Sequence, residues 1–373
     1  MIPIALAFGV LRATDSKADL GLVLAFQFAG QLGFLLVGGI LSDRFSRKQI
    51  LVISSTISAV TSAMFALMFL LASFSTSAAM AVAFISGAST AIKSPAMRGI
   101  VPEIASREKL QAAASALSIG RTISAILGQA IAGLVITWTS PAILFVLDSL
   151  SFCVAAWMLI GLPLAKTPFN LNRPAFFSSL RAGFKVVRST PWLLISIASA
   201  MVINFASLGS KQIIIPSIMQ QTSMEAIWGL ALAASSAGGA VAGLILYRLK
   251  LSRPFFATTA VGGANALLFL AVGFAVPAWL LIICGFFAGL GLTAGTIGFE
   301  ASMQSLIPSA SQSRVFAIEE TLSFGSIPLS YLCVGSLTGL LGDHSTLLLA
   351  GTIVIVAAIG PMFAPSVQRA RVD

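Results

Sequence analysis

Two bases and four acids lie inside or at the edges of long apolar runs: Lys93, Arg121, Asp148, Glu300, Glu319 and Glu320. Ionised groups are costly in such surroundings and persist where ions or substrates pass. A carboxyl group in a low-dielectric setting can take and release a proton near neutral pH. An arginine that approaches it favours the charged form. Arg121 falls near the middle of its run, Glu319 and Glu320 a turn or two into theirs, and Asp148 about two turns into its own. These groups could couple proton movement to that of a cargo. For Asp148 the alternative is a structural acid, hydrogen-bonded within a bundle. Lys93 and Glu300 occupy nearly equivalent places in two related runs, where they could pair as a cytoplasmic gate. Uncharged Gln27, Gln31, Gln129 and Asn204 could line a cavity or bond to adjacent helices. The three cysteines lack metal or pairing spacing, and Cys153, Cys284 and Cys333 read as small buried hydrophobes. The lone His344 reads as a solvated loop residue. No phosphate-binding loop, metal cluster or nucleophile constellation is written in the polar segments. We expect no enzyme and no cofactor, and an ion gradient as the source of energy.

The elements that position these groups are membrane helices. The chain of 373 residues is 57% hydrophobic and only 9% charged, with mean hydropathy +0.99. A soluble domain carries about 25% charged residues. About 20 apolar residues suffice to cross a bilayer as a helix. Eleven runs qualify, at roughly 20–41, 50–72, 78–99, 111–137, 142–164, 192–215, 226–248, 255–276, 278–299, 314–340 and 345–364. Met1–Leu11 is apolar but too short, and reads as the second half of a first helix lacking its N-terminal part. The polar stretch 165–191 divides the remainder. The expected organisation is therefore 1–164 as an N-terminal six-helix half, 165–191 as a cytoplasmic linker, and 192–373 as a C-terminal six-helix half. In the linker, Leu180, Phe184 and Val187 share one helical face, which fits a short helix on the membrane surface as well as an ordinary basic tether.

The net charge of +10 does not imply nucleic acid. Seventeen of the 22 lysines and arginines fall in alternate loops on one side, and only Arg12, Lys17 and Lys211 on the other. That asymmetry marks the first side, with the C-terminus, as cytoplasmic. The expected location is the cell inner membrane, multi-pass, with small-molecule substrate, protons and lipids as partners and a monomeric state.

The most distinctive stretch joins the second and third runs. Gly39-x-Leu41-Ser42-Asp43-Arg44-x-Ser46-Arg47-Lys48 resembles the loop signature of the major facilitator superfamily, G-x-L-A-D-R-x-G-R-K. Further segments resemble the prokaryotic drug:proton antiporter branch that includes macrolide and enterobactin exporters: Ser94-Pro95-Ala96 to Val101-Pro102, Leu110 to Leu117, Phe145 to Phe152, Ala182-Gly183-Phe184 to Leu193, and Ser313-Arg314-Val315. The resemblance covers nearly the whole chain. It implies an all-α polytopic fold of two six-helix halves with pseudo-two-fold symmetry around a cavity. It further implies export of a drug-like compound or siderophore by proton antiport with alternating access. A lipid flippase or an uptake carrier of the same fold is the alternative within transport, and a transport-inactive or sensory remnant the alternative outside it. The resemblance makes Gly39, Asp43, Arg44, Arg47 and Lys48 a gating motif, with Asp43 latching the N-terminus of a helix in the other half. Three features depart from the pattern, the first being a first helix without its N-terminal half, where related proteins carry a Gly-Asp pair. The fourth-span arginine is replaced by an apolar residue near Ala83, and the fifth-span Gly-Pro-x-x-Gly-Gly becomes Gly128-Gln129-x-x-Ala132-Gly133.

The halves echo each other weakly. Gly243-x-Ile245-x-Tyr247-Arg248 stands where Gly39-x-Leu41-x-Asp43-Arg44 stands in the first half. Such duplication is characteristic of secondary transporters. The pairs Gly239–Gly243, Gly285–Gly289, Gly291–Gly295 and Gly335–Gly339 predict close helix contacts.

Overall fold

The computed structural model describes residues 1–104, 110–161, 184–249 and 251–370. It is all-helical, and among the described residues ten helices are long and apolar enough to cross a membrane. The chain divides into two compact units, Met1–Arg173 and Pro174–Asp373.

The first unit contains α1 (Ile2–Thr14), α2 (Lys17–Arg44), α3 (Arg47–Leu70), α4 (Thr76–Ile104), α5 (Leu110–Trp138) and α6 (Pro141–Ile160). Local chemistry sets several of these ends. Ser46 begins α3 with a capping box: its hydroxyl accepts from the Gln49 amide at 3.2 Å, and the Gln49 side chain accepts from the Ser46 amide at 3.3 Å. These bonds satisfy donors that a helix start leaves open. Ser140 caps α6, with Pro141 preset for the first turn. Two basic side chains close helix C-termini from a distance. Arg12 donates to the carbonyls of Ile136 at 2.8 Å and Thr139 at 3.2 Å, at the end of α5. Lys48 donates to Ile160 O at 2.6 Å, at the end of α6. A cation there satisfies orphan carbonyls and complements the helix dipole.

The helix α4 is present as expected but is not among the ten apolar spans. It is rich in alanine, serine and threonine, and it carries Lys93. Small residues let it approach α2 closely. A Cβ on Gly87 would strike the backbone of Gln27, and one on Gly30 the backbone of Phe84.

The second unit begins with a helical segment at 184–189. Its Val187 is buried with Trp192, Leu193, Met303, Val315 and Val367, while Phe184 is exposed. Leu180 and Arg181 lie outside the described residues. There follow α7 (Pro191–Gly209), a π-helical turn (Ser210–Ile214) and α8 (Ile215–Gln221), which together form one span. Next come α9 (Glu225–Arg248), α10 (Pro254–Gly262), a 3-10 turn (Gly263–Asn265), α11 (Ala266–Gly273) and α12 (Ala278–Leu306). Then come α13 (Ser309–Gly325), α14 (Ile327–Leu341) and α15 (Asp343–Ile359); after a 3-10 turn (Gly360–Phe363), α16 (Pro365–Gln368) ends the unit. The seventh span thus runs past its expected end near residue 215, and the eleventh breaks at Ser326.

Close packing of α9 on α12 repeats the device seen between α2 and α4. A Cβ on Gly289 would strike the Ser235 backbone, on Gly285 the Ala231 backbone, and on Gly238 the Phe286 backbone. Gly243 and Gly339, expected at such contacts, face open space instead. Cys153 is exposed rather than buried. His344 lies in the first turn of α15, not in a loop, and its Nδ1 sits 3.2 Å from the carbonyls of both Val272 and Gly273, at the end of α11.

Candidate functional site

In the first unit a polar seam joins α3, α4 and α6. Asp148 on α6 is half-buried and accepts a hydrogen bond from Ser62 Oγ on α3 at 2.7 Å. Lys93 on α4 is electrostatically coupled to the same carboxylate. The Lys93 ammonium lies 4.6 Å from the centroid of the Phe152 ring, one turn along α6 from Asp148. One residue on from Asp148, Ser149 Oγ donates to Ala59 O at 2.9 Å. Further along the helix pair, Ser89 Oγ donates to Ser54 O at 2.9 Å and meets Ser58 Oγ at 3.5 Å. The arrangement is one carboxylate bonded by a hydroxyl and acted on by two cations, the Met1 ammonium and Lys93, with an aromatic face against Lys93 and hydroxyls bonding the three helices together. Such a site can hold or release one proton while its cations stay in place.

This seam was only partly visible in the sequence. Asp148 and Lys93 stood out by charge, but as members of different candidate sets. Ser62 and its neighbours went unremarked. Their signal was present, since Ser54, Ser58, Thr61 and Ser62 recur at helical spacing along one stripe of α3, and all four are buried.

The loop of the gating motif is short: α2 ends at Arg44 and Ser46 caps α3. Lys48 binds the end of α6, so it fastens two helices of one unit. Arg47 is half-buried. The side chains of Gly39, Asp43 and Arg44 lie outside the described residues. Arg121 is exposed on α5, and Gln129 on the same helix is half-buried.

In the second unit the acids gather on α12 and α13. Glu319 accepts from Ser323 Oγ at 2.9 Å and is electrostatically coupled to both Glu320 and Glu300. Asn204 on α7 donates to Ser323 O at 2.9 Å, tying the seventh span to the turn that carries Glu319. Beyond it, Ser326 Oγ donates to Met201 O at 2.9 Å, and Ser330 Oγ to Phe205 O at 2.5 Å. The Gly209 amide donates to Ser330 Oγ at 2.9 Å. The break at Ser326 is therefore stitched to α7 by hydroxyls, which reconnect a helix where its own ladder is interrupted.

Lys211 requires a correction. It was expected in an external loop, but it lies in the π-helical turn within the span Pro191–Gln221. Its charge alone placed it with the loop residues, and the helix instead carries it through by a local change of pitch.

A family model for transmembrane secretion effectors matches residues 4–369. Two transporters of Bacillus subtilis (strain 168) are similar over most of their length. The uncharacterized MFS-type transporter YfiS is 27% identical over 359 residues, covering 90% of this chain and 82% of that one. The uncharacterized MFS-type transporter YvqJ is 20% identical over 299 residues, covering 78% and 71%. Among solved structures, a D-xylose-proton symporter superposes with a TM-score of 0.74 at 14% identity, covering 98% of this chain and 95% of that one. The nucleoside transporter NupG superposes with a TM-score of 0.73 at 14% identity, covering 97% and 96%. At such identity these two likenesses show the fold alone.

Proposed function

The chain belongs to the transmembrane secretion effector family of the major facilitator superfamily, and from that premise we propose that it exports an amphipathic small molecule in exchange for protons. It is a multi-pass membrane transporter. The single observation that carries the direction of transport is the match to secretion effectors over residues 4–369.

In this reading Asp148 carries the proton and Lys93 sets how readily it does so. When Asp148 is ionised, Ser62 and Lys93 stabilise the charge. When it is protonated, Lys93 loses its counter-charge and relies on the Phe152 face. The helices α3, α4 and α6 therefore experience a different balance of forces in the two states, which is what alternating access between two conformations requires. Arg121 is a second ionisable group for coupling or cargo, because an exposed arginine inside a span is tolerable where water reaches it. Glu319 and Glu320 serve the second unit in the same way, with Asn204 and Ser323 fixing the turn beneath them. The motif Gly39, Asp43, Arg44, Arg47 and Lys48 lies on the cytoplasmic side and gates access, with Lys48 as a fastener of its own unit.

The test is retention of erythromycin, of enterobactin and of a panel of amphipathic dyes by cells with and without the protein. Expression should lower retention of at least one compound, and an uncoupler should abolish the difference. Efflux that survives the uncoupler, or retention that rises on expression, would overturn the proposal.

A further inference from the structure

A groove of about 480 Å³ runs between α7 and α15 of the second unit, lined by Ile195, Ser199, Val202, Val356, Ala357 and Pro361 among others, with no charged side chain. The two hydroxyls in its lining are already used: Ser199 Oγ donates to Ala357 O at 2.5 Å, and Thr352 Oγ1 to Leu348 O at 2.8 Å. Val202 and Val356 stand exposed along it. At Gly360 the groove is open, since a Cβ there would meet nothing within 4 Å. At a rise of about 1.5 Å per residue, Ile195 to Val202 covers about 10 Å of α7, and Thr352 to Pro361 about 14 Å of the last span. The hydrocarbon of one leaflet is about 15 Å deep. The groove lies toward Pro191 and Phe363, the ends that the lysine and arginine asymmetry assigns to the cytoplasm.

Three basic segments meet beyond that end. Val187, Trp192, Phe255 and Val367 share one buried cluster, with the Trp192 and Phe255 rings 6.2 Å apart. Arg188 directly follows Val187, Arg253 shortly precedes Phe255, and Arg369 shortly follows Val367. Arg188 and Arg369 are exposed, and Arg253 is half-buried. The short helix α16, which leads to Arg369, packs on α7 just past Pro361. Residues 184–193, 251–256 and 359–370 contain no aspartate or glutamate. The excess of bases on this side is general, but packing gathers these three where the groove ends. Basic clusters between spans at a cytoplasmic face suit anionic headgroups. We infer that the groove, with Arg188, Arg253 and Arg369, forms a site for one anionic phospholipid of the inner leaflet. An acyl chain lies along α7 and α15, and the phosphate sits among the arginines. A soluble anion would use the charges and leave the apolar groove unfilled; a lipid satisfies both. The inference goes beyond the export reading and stands if that reading fails.

The experiment is the thermal unfolding of the purified full chain in an uncharged detergent, titrated with dioleoylphosphatidylglycerol, with dioleoylphosphatidylcholine, or with soluble glycerol 3-phosphate. The wild type should gain several degrees more from phosphatidylglycerol than from phosphatidylcholine, and nothing from glycerol 3-phosphate. Arg188→Gln and Arg369→Gln should each lose most of that excess. Arg248→Gln should keep it, because Arg248 is an equally exposed base on α9, which packs on α12 and away from the groove. Gly360→Trp and Ala198→Phe fill the groove from open positions; both should unfold near the wild-type temperature without lipid and lose the phosphatidylglycerol response. Equal stabilisation by the two lipids, or a matching gain from glycerol 3-phosphate, overturns the site. So does a loss in Arg248→Gln as large as in Arg188→Gln and Arg369→Gln, which would mean surface charge alone. A full response in both groove-filling variants overturns the acyl-chain part of the site.

Discussion

Replacing Asp148 by asparagine separates charge from shape in the first unit. Asparagine can still accept the Ser62 hydroxyl now found at 2.7 Å, so the hydrogen bond survives in neutral form. A hydrogen bond to a charged group contributes about 1.5–3 kcal/mol, against about 0.5–1.5 kcal/mol for a neutral one. The difference costs about 1 kcal/mol. Loss of the counter-charge of Lys93 adds about 1 kcal/mol more, the size found for exposed pairs, because both groups are only half-buried. Lys93→Met should cost about 2 kcal/mol as well, from the stranded carboxylate and the lost contact with Phe152. The double variant removes both charges together and should fall short of the sum of the two by about 1–2 kcal/mol. For a cooperative unit of this size, 1 kcal/mol corresponds to about 2–4 °C in unfolding temperature. Thermal unfolding of the detergent-solubilised protein, wild type, both single variants and the double, measures the coupling. Additivity within about 0.5 kcal/mol would refute an interaction between Lys93 and Asp148. The same Asp148→Asn variant should insert normally and lose proton-coupled efflux.

Gly289→Leu should destabilise the second unit by more than about 3 kcal/mol, since even a Cβ would meet the Ser235 backbone; Gly243→Leu, facing open space, is the matched control, and equal unfolding temperatures would contradict the packing. Asp43→Asn should preserve insertion, measured by membrane yield, and impair efflux; unaltered efflux would count against a gating role. Lys93→Glu should abolish efflux, and adding Glu300→Lys should not rescue it if Lys93 serves Asp148 as proposed; recovery in the double variant would favour Lys93–Glu300 as a cytoplasmic gate.

Hydropathy revealed the spans because lipid admits few alternatives. A run such as Arg47–Leu70 has every backbone group satisfied internally only as a helix. Two features escaped that reading for physical reasons. The charge of Lys211 suggested a loop, yet a change of pitch and packing on α14 and α15 keep it inside the span. Serine stripes are nearly neutral on any hydropathy scale, so the Ser54–Ser62 face of α3 was invisible until α4 and α6 were seen to bond with it. Glycine spacing alone could not distinguish Gly289, against a backbone, from Gly339, facing open space, because helix rotation decides which face meets a neighbour. The charged residues were legible one by one. Lys93 and Asp148 are distant in sequence, and only the packing of α4 and α6 on α3 brings them near each other.

The most direct test of export by proton exchange uses everted membrane vesicles, whose outer face is the cytoplasmic one. Vesicles acidified inside by respiration are incubated with a small-molecule extract of the host cells, and their contents are compared by mass spectrometry with vesicles lacking the protein. The account predicts that one or more amphipathic compounds accumulate inside, that an uncoupler abolishes the accumulation, and that Asp148→Asn does the same. Accumulation that is indifferent to the uncoupler, loss of compounds from the lumen on acidification, or an Asp148→Asn variant as active as wild type would contradict it.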